Sequence, residues 1–168
     1  MMTKLLSAVA VSCSVLALCS CATAPMTHGI PNFAQVDYNI FRGGQPNATG
    51  WVYLKSIGVT NVVKLNDESE GSDRDAAALG MVINYFPISL QDQIFHLRHR
   101  DHVWNALDAI TPHTYIHCEH GQDRTGLVVA CWRLQEGASK DAAEKEMLAH
   151  GFHKGLFGLW NFWEGVAP

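Results

Sequence analysis

The sequence predicts a single α/β domain: a central, mostly parallel sheet flanked by helices. Three observations carry that prediction. Strand-like apolar runs alternate with helix-like stretches along the chain, the pattern of successive βα units. A short strand, Tyr115 to His117, runs through a glycine-bearing loop into a strongly apolar helix that begins near Asp123 or Arg124. The chain has 168 residues, 48% of them apolar, enough to bury one core without staples.

Taken in order, residues 1–24 read as a targeting leader rather than part of the fold. Lys4 supplies a positive start, and Leu5 to Leu18 form an apolar stretch too short to span a bilayer. Residues 25–32, with Pro25, Gly29 and Pro31, read as a linker. The folded domain is then expected over 33–168, opening with a short strand from Phe33 through Val36 and a second from Asn39 to Arg42. Asn47 suits the cap of a helix running to Ile57 and stopped by Gly58, and Thr60 to Asn66 reads as a buried strand. The acidic run Asp67-Glu68-Ser69-Glu70, followed by Gly71, reads as a solvated connection. A helix over Asp73 to Leu79, a strand over Val82 to Ile88 and a helix over His99 to Ile110 follow. Leu127 to Trp132 is apolar on every side, so the helix after the loop should be buried. Ser139 fits the cap of a last amphipathic helix through His150, and the aromatic tail Phe152 to Trp163 should pack onto the domain.

The chemistry concentrates in His117-Cys118-Glu119-His120-Gly121-Gln122-Asp123-Arg124-Thr125-Gly126. A helix N-terminus offers unpaired amides and the positive end of its dipole to an anion, and a tight loop turns further amides inward. Cys118 stands at the floor of that cradle as a nucleophile, and Arg124 supplies a planar fork matched to two phosphate oxygens. Residues 119–124, namely Glu119, His120, Gly121, Gln122, Asp123 and Arg124, would line the phosphate.

His-Cys, five residues, then Arg-Thr-Gly resembles the signature of the cysteine-dependent protein tyrosine and dual-specificity phosphatases, in its bacterial dual-specificity-like branch. Phe41-Arg42-Gly43-Gly44-Gln45-Pro46 is similar to a second segment of that branch, and this makes Arg42 a candidate support for the loop, with a structural surface arginine as an equal alternative. The resemblance implies two-step hydrolysis of a phosphate monoester through a phosphocysteine, with Thr125 easing the departure of sulfur and His117 fixing the loop. It also places a general acid in the loop Ser89 to Gln93, where Asp92 is the candidate and Asp101 the runner-up. No metal or other cofactor is implied. His96, His99 and His102 recur every third residue but read as a solvated, weakly basic face, and a zinc site on Cys118 would leave Arg124, Thr125 and Gly126 without a role.

A net charge of −4 with no Lys/Arg run argues against a nucleic-acid partner. Expected partners are a phosphorylated protein or a small phosphomonoester, bound by a monomer. Family members that act on polyphosphorylated inositols carry lysines in the loop, whereas this loop holds Glu119 and Asp123, which favours a singly phosphorylated substrate. Of the five cysteines, Cys13, Cys19 and Cys21 lie in the leader, and Cys131 reads as a small core residue. Leu18-Cys19-Ser20-Cys21 resembles a lipobox, so Cys21 is the expected lipidation site and the membrane contact, implying a periplasmic protein on the outer membrane; a soluble secreted protein is the alternative. Two other classes stay open: a phosphate-binding lipoprotein without turnover, and a thiol-redox or sulfur-transfer protein.

Overall fold

The computed structural model describes residues 25–91 and 97–167. Two short strands, β1 (Met26–Thr27) and β2 (Ile30–Pro31), pair as a hairpin. There follow β3 (Ala34–Asp37), β4 (Ile40–Gly43), α1 (Ala48–Ser56), β5 (Asn61–Lys64), a 3-10 turn (Glu68–Glu70) and α2 (Arg74–Ala78). The second half holds β6 (Val82–Tyr85), α3 (Leu97–Asp108), β7 (Thr114–His117), α4 (Asp123–Gln135), α5 (Lys140–Ala149) and α6 (Phe157–Glu164).

Five strands form one sheet in the order β3-β4-β7-β5-β6, parallel throughout except for β3, which runs antiparallel to β4 at the edge. Strand side chains alternate between two cores. Ile40, Val63 and Ile116 face a large core shared with Leu127, Val128 and Trp163, under α3 to α6. Phe41, Val62 and Tyr115 face a smaller core with Trp51, Leu54 and Ala76, under α1 and α2. Helices on both faces explain why the central strands read as continuous apolar runs rather than alternating ones.

Helix ends follow the local chemistry. Asn47 Oδ1 accepts from the Gly50 amide at 3.0 Å, and Ser139 Oγ accepts from the Ala142 amide at 3.2 Å. Residues 123–132 of α4 are buried without a break, so this helix is a rigid central rod. The aromatic tail packs inward through Phe152, Phe162 and Trp163, while Phe157 remains 63% exposed.

Three expectations need correction. Residues 25–32 are not a tether: from Met26 on they fold as the hairpin, Ile30 is fully buried in the smaller core, and the Asn32 side chain bonds into the domain. Of the residues that suggested a linker, Gly29 serves the turn, where it and His28 both take positive φ, while Pro31 lies in β2 and its carbonyl accepts from the Gly44 amide at 2.7 Å. The acidic run 67–70 is not merely solvated but closes a capping box, with Asp67 accepting from Ser69 and Glu70 accepting from Asp67. The histidines of α3 do not form a solvated face, since His99 is buried and His102 Nδ1 lies 2.6 Å from Pro87 O. Residues 1–24 with Cys21, and also Asp92 and His96, lie outside the described residues.

Candidate active site

β7 delivers Cys118 to the C-terminal edge of the sheet, and α4 begins five residues later, so the loop between them spans the gap above the sheet. The adjoining end of β4 shapes it. Gln45 N donates to Glu119 O at 2.8 Å, and Gly121 O accepts from Arg42 Nη2 and from Asn32 Nδ2, each at 2.9 Å. Because a trans peptide points its N–H opposite its carbonyl, tying those two oxygens outward turns the amides of His120 and Gln122 the other way. Among the described residues, no amide from Glu119 to Gln122 finds an acceptor. Unsatisfied amides gathered at a helix N-terminus make an anion cradle.

Close approach forces glycine at two points. Gly121 has φ +73°, and a Cβ there would sit 2.3 Å from the Gly43 carbonyl carbon; a Cβ on Gly44 would meet Glu119 O at 2.7 Å. Tyr115 Oη donates to Gly44 O and stitches the same junction from below. Thr125 is fully buried, but its hydroxyl donates to Gly43 O at 3.4 Å, so its bond here is to the loop's support rather than to sulfur.

Arg124 is 2% exposed and held by an acid that the sequence did not suggest. Its Nη1 donates to Glu70 Oε2 at 2.7 Å and its Nη2 to Glu70 Oε1 at 2.9 Å, an end-on fork. Its buried Nε has no partner among the described residues. Burial works against the Arg124 charge, but the hydrogen bonds to Glu70 and the nearby Cys118 sulfur hold the guanidinium above its ordinary range. Glu70 is correspondingly held below the usual carboxylate range, chiefly by the bond from Arg124. Arg42, buried behind the loop, is pushed down by burial to about 10, with the Cys118 sulfur opposing that fall.

His117 is fully buried, with Nε2 3.0 Å from Asp73 Oδ2. Asp73 also accepts from Gln45 Nε2 at 3.0 Å and lies 3.5 Å from the buried Lys64 ammonium. Burial is the largest single influence on the Asp73 carboxyl and raises it, but the bond and charge of His117, the bond from Gln45 and the Lys64 ammonium together leave it lower than usual.

The remaining loop residues divide. Glu119 is partly exposed, 3.9 Å from Arg124 Nη2 and 3.6 Å from the exposed His120 ring, so both sit on the rim. Gln122 packs its amide group near Gly151. Asp123 does not face the mouth as an additional acid: its carboxylate accepts from the His153 amide at 2.7 Å and meets that ring at 3.0 Å, joining α4 to the segment before α6. Cys131 is in the core, its thiol pushed up by burial to about 12. A cleft of about 420 Å³ opens beside Arg124, lined by Asp67, Glu70, Ile88, Leu90 and His99 among others. Among the described residues, no group of three potential ligands is placed to hold a metal ion.

Glu70, Asp73, Lys64 and Gln45 are the site residues that sequence reasoning missed. The one local signal was the Asp67-x-x-Glu70 spacing of a capping box, which marks an ordered turn where an acidic run otherwise suggests solvent.

Residues 29–146 match the family described as the tyrosine phosphatase family. Inositol diphosphatase DSP2 of Oryza sativa subsp. japonica is 32% identical over 108 residues, which is 61% of this chain and 53% of that protein. Inositol diphosphatase DSP4 of Arabidopsis thaliana is 30% identical over 112 residues, covering 61% and 54%. The chain thus spans about half the length of these relatives. The core catalytic domain of the PP-IP phosphatase SIW14 from S. cerevisiae superimposes with a TM-score of 0.68 at 20% identity, over 82% of this chain and 86% of that one. P. aeruginosa TpbA does so with a TM-score of 0.59 at 21% identity, over 86% and 89%. These structural likenesses establish the fold.

Proposed function

Because the chain belongs to the tyrosine phosphatase family, we propose that it hydrolyses phosphate monoesters through a phosphocysteine on Cys118. One observation carries the reading: the nucleophile sits beneath unsatisfied amides and beside a buried Arg124 whose Nε lacks a partner among the described residues. A phosphoryl group would satisfy both. The Cys118 thiolate attacks phosphorus, forming S–P as the ester P–O bond breaks, while the amides and Arg124 hold the equatorial oxygens. The leaving oxygen takes a proton from a carboxylic acid, assigned to Asp92 from its place after β6. Water then attacks phosphorus, the acid takes back a proton, and the thiolate and inorganic phosphate leave.

The proposed substrate is a phosphotyrosine protein, with phosphoserine and phosphothreonine as further candidates. Asp67, Glu70 and Glu119 put carboxylates around the mouth, which disfavours a second phosphate nearby. The inositol diphosphatase relatives favour a second reading, a phosphorylated inositol, while TpbA has been crystallised with pTyr and PTPMT1 with PI(5)P. Turnover of p-nitrophenyl phosphate by the chain lacking residues 1–24 tests the chemistry, and its persistence in Cys118→Ser would refute it. Competing a phosphotyrosine peptide against an inositol diphosphate separates the substrates.

The proposal extends to location: acylation of Cys21, supported by Leu18-Cys19-Ser20-Cys21, would tether the domain to the outer membrane on its periplasmic side. Mass spectrometry should find diacylglycerol on Cys21. A free N-terminus downstream of it would reject the anchor.

A further inference from the structure

The hairpin that opens the domain reaches the phosphate loop through one side chain. Asn32 follows β2 with φ +50°, in the left-handed region that asparagine enters more readily than most residues. Its backbone amide donates to Pro25 O at 2.9 Å and closes the hairpin. The two N–H groups of Nδ2 are spent elsewhere, 89 and 118 residues along the chain: one donates to Gly121 O and the other to His150 O, each at 2.9 Å. His150 caps the C-terminus of α5, where a carbonyl has no partner within the helix. Holding the hairpin together requires neither side-chain bond, so the pair calls for another reason. Asparagine suits it, with two donors on one short arm where an ionised aspartate has none.

The peptide between Gly121 and Gln122 supplies it. Gly121 has no side chain to hold that plane, and glycine accepts either orientation of it. With the oxygen outward, the Gln122 N–H faces the cradle; with the plane reversed, the oxygen would meet an anion there and repel it. Arg42 Nη2 gives that oxygen one donor from β4, and Asn32 gives it a second from the hairpin. A single donor leaves the plane free to rock about one bond, whereas two donors from separate elements fix it. The neighbouring Glu119–His120 peptide is set independently, by Gln45 N on Glu119 O at 2.8 Å.

We propose that Asn32 is a positioning residue of the phosphate loop: by fixing Gly121 O it aims the Gln122 amide at a phosphoryl oxygen, which makes the hairpin part of the machinery that binds the anion. The inference rests on the phosphate cradle of the proposed function but not on turnover, nor on which phosphomonoester is bound.

The test is a titration of the full ¹⁵N-labelled chain with inorganic phosphate, following the backbone amides of wild type, Asn32→Gly and Ile30→Val. Glycine keeps the left-handed backbone and removes both donors, while Ile30→Val trims a buried side chain of the same hairpin and controls for lost stability. In wild type the His120 and Gln122 amides should both move as phosphate binds. Asn32→Gly should bind phosphate on the order of tenfold more weakly, the loss of one charge-assisted bond, and its Gln122 amide should lose most of its response while His120 keeps its own. Ile30→Val should bind phosphate as wild type does. Loop amides that ignore phosphate in wild type, a Gln122 response that survives in Asn32→Gly, or phosphate binding equal in the two variants would overturn the proposal, the last being the mark of a purely structural role.

Should Asn32→Gly not fold, the scalar coupling across the hydrogen bond from Asn32 Nδ2 to the Gly121 carbonyl decides in wild type. That bond and the one from Gln122 N–H to phosphate share a peptide and polarise it in the same sense, so the coupling should grow when phosphate is added. A coupling that is absent or unchanged would refute the proposal. Because binding needs no turnover, a Gln122 amide that answers to phosphate through Asn32 in a protein without phosphatase activity would reject the proposed function and leave this inference standing.

Discussion

Glu70→Gln is the sharpest probe of how the anion site is built. The substitution preserves shape but replaces one oxygen of a bidentate carboxylate with an amide N–H₂ that faces the guanidinium's own donors. Glu70 holds both Nη atoms of Arg124, at 2.7 and 2.9 Å, with side-chain exposures of 27% for Glu70 and 2% for Arg124. One charge-assisted bond is lost and the other weakened, and each is worth roughly 1.5–3 kcal/mol. A loss of about 2 kcal/mol in urea unfolding at neutral pH follows, or roughly 4–8 °C in Tm for a domain of this size. The sign with pH is fixed: the Glu70 carboxyl is lowered in the folded state, so its contribution is present above the ordinary carboxylate range and disappears as pH falls through the folded value. Wild type and variant should therefore converge in acid. Because Glu70 takes the two Nη atoms and leaves the buried Nε without a partner among the described residues, it positions the fork rather than blocking it. Inorganic phosphate should accordingly inhibit Glu70→Gln about tenfold more weakly. Tighter phosphate inhibition, or unchanged stability at neutral pH, would refute this account and mark Glu70 as a competitor for the site.

Two further outcomes follow from backbone and burial. Gly121→Ala should lower turnover by on the order of a hundredfold as well as stability, because its Cβ meets the Gly43 and Gly44 backbone, whereas Gly137→Ala, at φ +87° with nothing within 4 Å, should cost only the left-handed penalty of about 1–2 kcal/mol and spare activity. Equal effects in thermal melts and turnover would contradict the close packing of the loop on β4. His150 is held below its ordinary value by burial and then by Arg42, so stability should fall as pH drops through the ordinary histidine range, where the unfolded chain takes up a proton that the folded one refuses. His150→Gln should flatten the fall in Tm between about pH 7 and pH 5; an equally steep fall in the variant would show that other groups carry it.

What the sequence made legible was local. The apolar runs of β5 and β7, the caps at Asn47 and Ser139 and the all-round apolarity of α4 each depend on neighbours within a few positions, and each stands close to where it was expected. Cys118 and Arg124 are bound to one another by loop length alone. Partners distant in the chain were not legible: Glu70 lies 54 residues from Arg124, and Asp73 lies 44 from His117. An acidic residue beside glycine and serine looks solvated until the fold places a buried cation over it. Asp123 misled for the opposite reason, since membership of the loop in sequence said nothing of which way the first side chain of α4 turns. Residues 25–32 misled because a two-residue strand with one buried isoleucine leaves almost no periodicity to read.

The most direct measurement is an acid quench of the pre-steady-state reaction with p-nitrophenyl phosphate, followed by peptide mass spectrometry. One phosphate is expected on the peptide bearing Cys118, formed with the first burst of nitrophenol and absent from Cys118→Ser. Turnover that continues with no phosphate on Cys118, or with the phosphate on another residue, would contradict it.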